Sequence, residues 1–169
     1  ANRVNSATVR YAGSERVDVF GDAFGGDDDD LVVHEDTADN LWEVRGGSLL
    51  SGVEVSIDGR TPINYTGFND VTLMNGPVAP TGFDRFRIEA MILPVAQTGT
   101  FTVSGAGGEV IEVIGTNGND AFRVAPGVGP HSTAILNGSA IEFEGVGQLD
   151  LLGLEGADDF TIMPLLNTA

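Results

Sequence analysis

The stretch "IEFEGVGQLDLLG", Ile141 to Gly153, sets an apolar–polar–aromatic triplet before a glycine, adds three spacer residues, and ends in an alternating run closed by glycine. Alternation of apolar and polar residues at period two is the mark of a half-buried strand. The same arrangement stands in "VRYAGSERVDVFG" from Val9 and in "INYTGFNDVTLMN" from Ile63. Each copy is followed by a loop of variable length and by an aspartate two residues ahead of an apolar residue: Asp29 with Leu31, Asp84 with Phe86, Asp158 with Phe160. A second pair precedes the later copies. "DTADNLWEV" (36–44) matches "GTNGNDAFRV" (115–124), and each leads into a turn, "IDG" at 57–59 and "LNG" at 136–138. The repeat is therefore composite, with a displacement of 78 residues from Ile63 to Ile141.

This pattern predicts one all-β repeat domain over 1–169, made of a partial unit 7–35, a unit 36–90, an insertion 91–108 and a unit 109–163. Other short runs, "VEVSI" at 53–57, "FTV" at 101–103 and "VIEVI" at 110–114, are rich in Val, Ile, Phe and Thr and end at Gly, Asn or Asp. Strands of three to five residues cannot bury an apolar face alone, whereas stacked coils cover one another. The expected architecture is a parallel β-solenoid; the alternative is a β-sandwich carrying an accidental duplication. Trp42 aligns with Phe122, and Tyr11, Tyr65 and Phe143 occupy equivalent positions. Equivalent aromatics are expected as an internal stack rather than a sugar-binding strip. The chain starts and stops out of phase with its own repeat, which leads to the expectation of a longer tandem array or of subunits that complete one another end to end.

Composition narrows the partners. The 169 residues carry 25 Asp+Glu against 8 Lys+Arg, a formal net charge of -17. All the basic residues are arginine. Such a field repels nucleic acid and anionic lipid, so neither is an expected partner. With no cysteine, disulfides and thiolate chemistry are absent. No apolar stretch approaches the roughly 18 residues that span a bilayer as a helix, so membrane insertion is not expected. Ala1 stands where an initiator methionine would, and no secretory leader is visible, as expected of a mature chain or a piece of a longer one.

The acidic turns carry the one recognisable motif. "GTNGNDAFR" at 115–123 resembles the glycine- and aspartate-rich nonapeptide of the repeats-in-toxin family, with Thr116 for its second glycine. "GLEGADDFT" at 153–161 is a looser match that keeps Gly153, Gly156, Asp158 and Phe160 in register, and "TGFDRF" at 81–86 keeps Gly82, Asp84 and Phe86. In "AFGGDDDDLVV", Ala23 to Val33, Gly25, Asp29 and Leu31 hold their places while Asp27 replaces a glycine. The larger pattern is similar to the Gly/Asn/Asp-rich repeats of very large secreted bacterial surface proteins. These resemblances imply calcium-compatible turns and an extracellular or cell-surface setting. The matches are separated by tens of residues, so no regular ladder of ions follows. Calcium needs six to eight oxygens, and its expected ligands are Asp27, Asp28, Asp29 and Asp30, with Asn119, Asp120, Asp158 and Asp159 at the later turns. In Asp27–Asp30, neighbouring Cα atoms about 3.8 Å apart hold like charges within a Debye length of about 8 Å, a repulsion that a divalent cation reverses.

Enzymatic constellations are not found. His34 and His131 lack a second histidine at metal-ligand spacing, Ser14 and Ser104 lack a nucleophile-elbow context, and abundant carboxylates make any imagined glycosidase pair cheap. "NYT" at 64–66 and "NGS" at 137–139 are glycosylation sequons. The expected function is that of a non-enzymatic structural module of an extracellular fibre or surface-layer-like protein, whose partner is another copy of itself. The alternative is an adhesin segment that grips a glycan or protein through the loops at 77–82 and 93–98.

Overall fold

A computed structural model of the chain describes residues 17–20, 30–35, 39–46, 52–75, 83–89 and 99–163. Twelve strands lie in these segments: β1 Val17–Phe20, β2 Asp30–Glu35, β3 Leu41–Gly46, β4 Val53–Ile57, β5 Ile63–Thr66, β6 Asp70–Asn75, β7 Arg85–Glu89, β8 Phe101–Ile114, β9 Ala121–Pro126, β10 Ser132–Leu136, β11 Ser139–Leu152 and β12 Asp159–Ile162. The fold is all-β with one mixed sheet. Alternation does what it should locally. In β7, "RFRIE", Phe86 and Ile88 point into the core while Arg85, Arg87 and Glu89 face outward.

Two antiparallel meanders anchor the sheet. The first runs β3–β4–β5, with Trp42 opposite Ile57 and Val53 opposite Tyr65. The second runs β9–β10–β11, with Phe122 opposite Leu136 and Ser132 opposite Phe143. Their hairpin turns match. Asp58 and Gly59 have φ of 51° and 65°, and Asn137 and Gly138 have φ of 50° and 92°. Two successive left-handed residues give the hairpin turn whose twist suits the flanking strands, and Asp-Gly and Asn-Gly are its favoured pairs.

All pairing outside the meanders is parallel. β1 lies on β5, β2 on β6, β7 on β3 and β12 on β9. β8 joins the halves: Phe101–Ser104 pair with β6, Val110–Ile114 pair with β7, and β11 follows β8 along almost its whole length. Two ribbons result, β2–β6–β8–β11–β10–β9–β12 and β1–β5–β4–β3–β7–β8–β11, sharing the bent strands β8 and β11. Their inward residues, from Val33 to Phe143, form one apolar core. Burial of that surface, at about 25 cal/mol per Å², drives the fold.

The structure differs from the expected repeat at its first copy. Val17 pairs with Ile63, and Leu31 pairs with Val71, whereas the sequence alignment put Val17 at the place of Val71. An apolar–polar–apolar triplet fits either half of the motif, so alternation alone does not fix which half it fills. The boundary drawn at Gly108 falls inside β8. Of the aromatics expected in one column, Tyr11 lies outside the described residues, and Tyr65 and Phe143 are buried without being paired to each other.

Candidate functional site

The corners between strands carry the polar chemistry, and each corner of the first meander recurs at the second. Asp58 Oδ1 accepts a hydrogen bond from Leu41 N (2.8 Å), and Asn137 Oδ1 accepts one from Ala121 N (2.9 Å). Asp39 Oδ1 accepts from Phe83 N (2.9 Å), and Asn119 Oδ1 accepts from Ala157 N (2.9 Å). Asp84 Oδ1 accepts from Asn40 N (2.9 Å), and Asp158 Oδ1 accepts from Asp120 N (3.0 Å). Short Asp and Asn side chains suit this task because they reach a neighbouring backbone N–H without leaving the turn. Each bond of the last two kinds ties together segments that lie 38 to 44 residues apart in sequence.

Asp84 and Asp158, which stand two residues before Phe86 and Phe160, differ in depth. Asp84 is fully buried, and it also accepts from Trp42 Nε1 (3.2 Å) and Asn40 Nδ2 (3.4 Å). Asp158 is half-buried, and Phe122, standing at the place of Trp42, has no donor to offer it. The aromatic pairs above them agree: Trp42 stacks on Phe86 at 5.2 Å and Phe122 on Phe160 at 4.8 Å.

Asp120 is the centre of the later turn. Its carboxylate accepts from Thr116 N (2.7 Å), Thr116 Oγ1 (3.1 Å) and Asn137 Nδ2 (2.6 Å). Burial pushes this carboxyl up, but the bonds from Thr116 N, Asn137 Nδ2 and Thr116 Oγ1 outweigh it and hold the group below the usual carboxylate range. Gly115 makes the approach possible. A Cβ there would stand 2.5 Å from Asp120 Oδ2, which explains the glycine at the head of the nonapeptide-like stretch.

The expected calcium ligands separate accordingly. Asp27, Asp28 and Asp29 lie outside the described residues. Asp30 is exposed at the start of β2, opposite Asp70. Asn119, Asp120, Asp158 and Asp159 do meet at one corner, where Asp159 N donates to Asp120 O (2.8 Å). Three of their side chains accept from the N–H, O–H and amide donors described above. Among the described residues, no group of three or more His, Asp or Glu is placed to hold a metal ion, and no helix is long and apolar enough to cross a membrane. The loops proposed for adhesion, 77–82 and 93–98, lie outside the described residues. Of the sequon asparagines, Asn64 is buried, and Asn137 is committed to its turn. Trp42, Tyr65 and Phe143 are core residues and form no sugar-stacking strip.

The remaining notable surface is an edge. β12 pairs only with β9 among the described strands, and its inward-patterned residues stay uncovered. Phe160 is 46% exposed and Ile162 69%, whereas Phe86 and Ile88, their counterparts in β7, are 0% exposed. β7 is flanked by β3 and β8; β12 has β9 alone. Nothing in the sequence of β12 signalled this difference. It becomes visible only once β7 and β12 are seen to occupy the same place on successive meanders. No protein-family model matches the chain, and searches of curated proteins and of solved structures found no match.

Proposed function

We propose that the chain is a non-enzymatic structural repeat module of an extracellular fibre or surface-layer-like protein, which stacks in solenoid fashion and associates end to end with copies of itself. One observation supports it above the others: the uncovered edge of β12, bearing Phe160 and Ile162, is the counterpart of an edge that is covered inside the chain. An unpaired edge with exposed apolar side chains is a template for another strand. The corner aspartates and asparagines favour the same role, since they tie together strands that lie 38 to 44 residues apart in sequence. Calcium belongs to the proposal as a rigidifying ion at the acidic run Asp27–Asp30, where four adjacent carboxylates in the sequence favour a divalent cation. Sedimentation velocity over a hundredfold range of concentration tests the association. Mass that grows with concentration is expected, and a monomer throughout refutes the proposal. Melting with and without a chelator tests the calcium, which an unchanged transition would remove from it.

A further inference from the structure

The junction inside the chain specifies how two copies would meet. At that junction the first half of β8 pairs with β6, Val71 opposite Phe101, and its second half pairs with β7, Phe86 opposite Ile111 and Ile88 opposite Val113. The strands β1 and β2 are the first-unit counterparts of those two halves. Val17 holds on Ile63 the place that the start of β8 holds on β11, and Leu31 holds on Val71 the place that Ile111 holds on Leu149. The second half of β11 and β12 are in turn the counterparts of β6 and β7. Among the described strands, β1, β2, β12 and the second half of β11 each have one unpaired side.

From this correspondence we propose that the β1–β2 pair of a second copy docks in parallel on β11 and β12, placing its Val17 opposite Leu149, its Leu31 opposite Phe160 and its Val33 opposite Ile162. The inference rests on the end-to-end function proposed above and supplies its register. Both ribbons continue through the joint: β12 gains β2 of the next copy, and β11 gains β1. The apolar exposure of β12 is then covered as β8 covers β7. Outward positions are compatible. Where Arg87 Nε meets Glu112 Oε2 at 3.0 Å inside the chain, the outer joint sets Thr161 opposite Val32, two β-branched residues that strand pairing favours. Val32 is exposed, as this role requires.

The outer joint also differs from the inner one in charge. Its register brings Asp159 beside Asp30, where the inner junction has Arg85 beside Val110. Like charges directly opposite one another on neighbouring strands are destabilising, and each copy already carries a net charge of -17. The joint is therefore reversible and strengthens with ionic strength, because salt screens both terms.

Cysteine pairing reads the register, since the chain has no cysteine of its own. Thr161→Cys protein is mixed in oxidising buffer, at high salt, with Asp30→Cys, Val32→Cys or His34→Cys protein. Partners in register sit about 4.8 Å apart, and positions shifted by two residues sit about 8 Å apart, beyond the roughly 7 Å that a disulfide tolerates. A heterodimer with Val32→Cys and with neither of the others is the expected result. Sedimentation of the unmodified chain under the same conditions separates the two levels of the proposal. Association together with cross-linking to Asp30→Cys or His34→Cys overturns the register while leaving end-to-end assembly standing. Association with only Thr161→Cys homodimers overturns the occupant, since tails would then be meeting tails. Monomers at every salt concentration overturn both.

Discussion

Replacing the buried aspartate of the inner corner and its counterpart at the outer one gives a paired measurement. Asp84→Ala removes the acceptor for Asn40 N at 2.9 Å and for Trp42 Nε1 at 3.2 Å, both belonging to buried residues. A buried donor left without a partner costs about 1–3 kcal/mol, so two of them and a small void destabilise by about 3–5 kcal/mol. Asp158→Ala removes the acceptor for Asp120 N at a half-buried site, and water replaces it at a cost of about 1 kcal/mol. For a chain of this length, each kcal/mol moves the midpoint by about 2–4 °C. Thermal melts followed by circular dichroism should show Asp84→Ala lowered by about 6–20 °C and Asp158→Ala by about 2–4 °C. Asp84→Asn, which keeps one acceptor oxygen and the shape, should fall between wild type and Asp84→Ala. The melts belong in dilute solution and with chelator present, so that neither association nor an ion at Asp158 contributes. Equal shifts for the two alanine variants, or a shift below about 2 °C for Asp84→Ala, would refute the account of these corners as ties graded by burial between segments distant in sequence.

Three further outcomes follow from single sites. Asp120 is held below the usual carboxylate range in the folded chain, so its contribution is complete above the unfolded value of about 3.9 and disappears as pH falls through the lower folded value; acid titration of stability should lose part of its slope below that pH in Asp120→Asn. The Tyr65 hydroxyl is buried with no hydrogen-bond partner among the described residues, and burial pushes its phenol upward; Tyr65→Phe should therefore be neutral or stabilise by about 1 kcal/mol in urea unfolding. Gly115→Ala drives a methyl against Asp120 Oδ2, whereas at Gly118 the nearest atom to an added Cβ is 3.4 Å away; the first change should cost about 1–3 kcal/mol and the second less than about 1.

Much of the scaffold was legible because alternation and turn chemistry are local. The strands around Trp42, Ile57, Tyr65 and Phe122 follow from period-two patterning, and the equivalence of "IDG" with "LNG" appears as two hairpins with the same left-handed pair. Pairing was less accessible. The short run "VDVF" has the alternation of either half of the motif, and only its neighbours in space show that it lies on Ile63. Both ends of β8 follow from "FTV" and "VIEVI", but its continuity through Gly105, Gly107 and Gly108 does not. Its path is kept by Glu109, a fully buried carboxylate that accepts from Gly107 N and Gly108 N at 2.8 Å. The turns that hold Asp120 and Asp158 were visible as turns. That Asp84 and Asp158 spend an oxygen on the N–H groups of Asn40 and Asp120 depends on which segment lies alongside, and sequence spacing does not contain that.

Because β8 and β11 each run through both ribbons, neither layer can peel away while the other stays intact. Tandem architectures commonly fray from a terminus, one unit after another. Here the two halves are laced through common threads, so loss of the meander around Phe122 drags the meander around Trp42 with it. Heat or pulling force should therefore meet a single all-or-none barrier rather than a staircase.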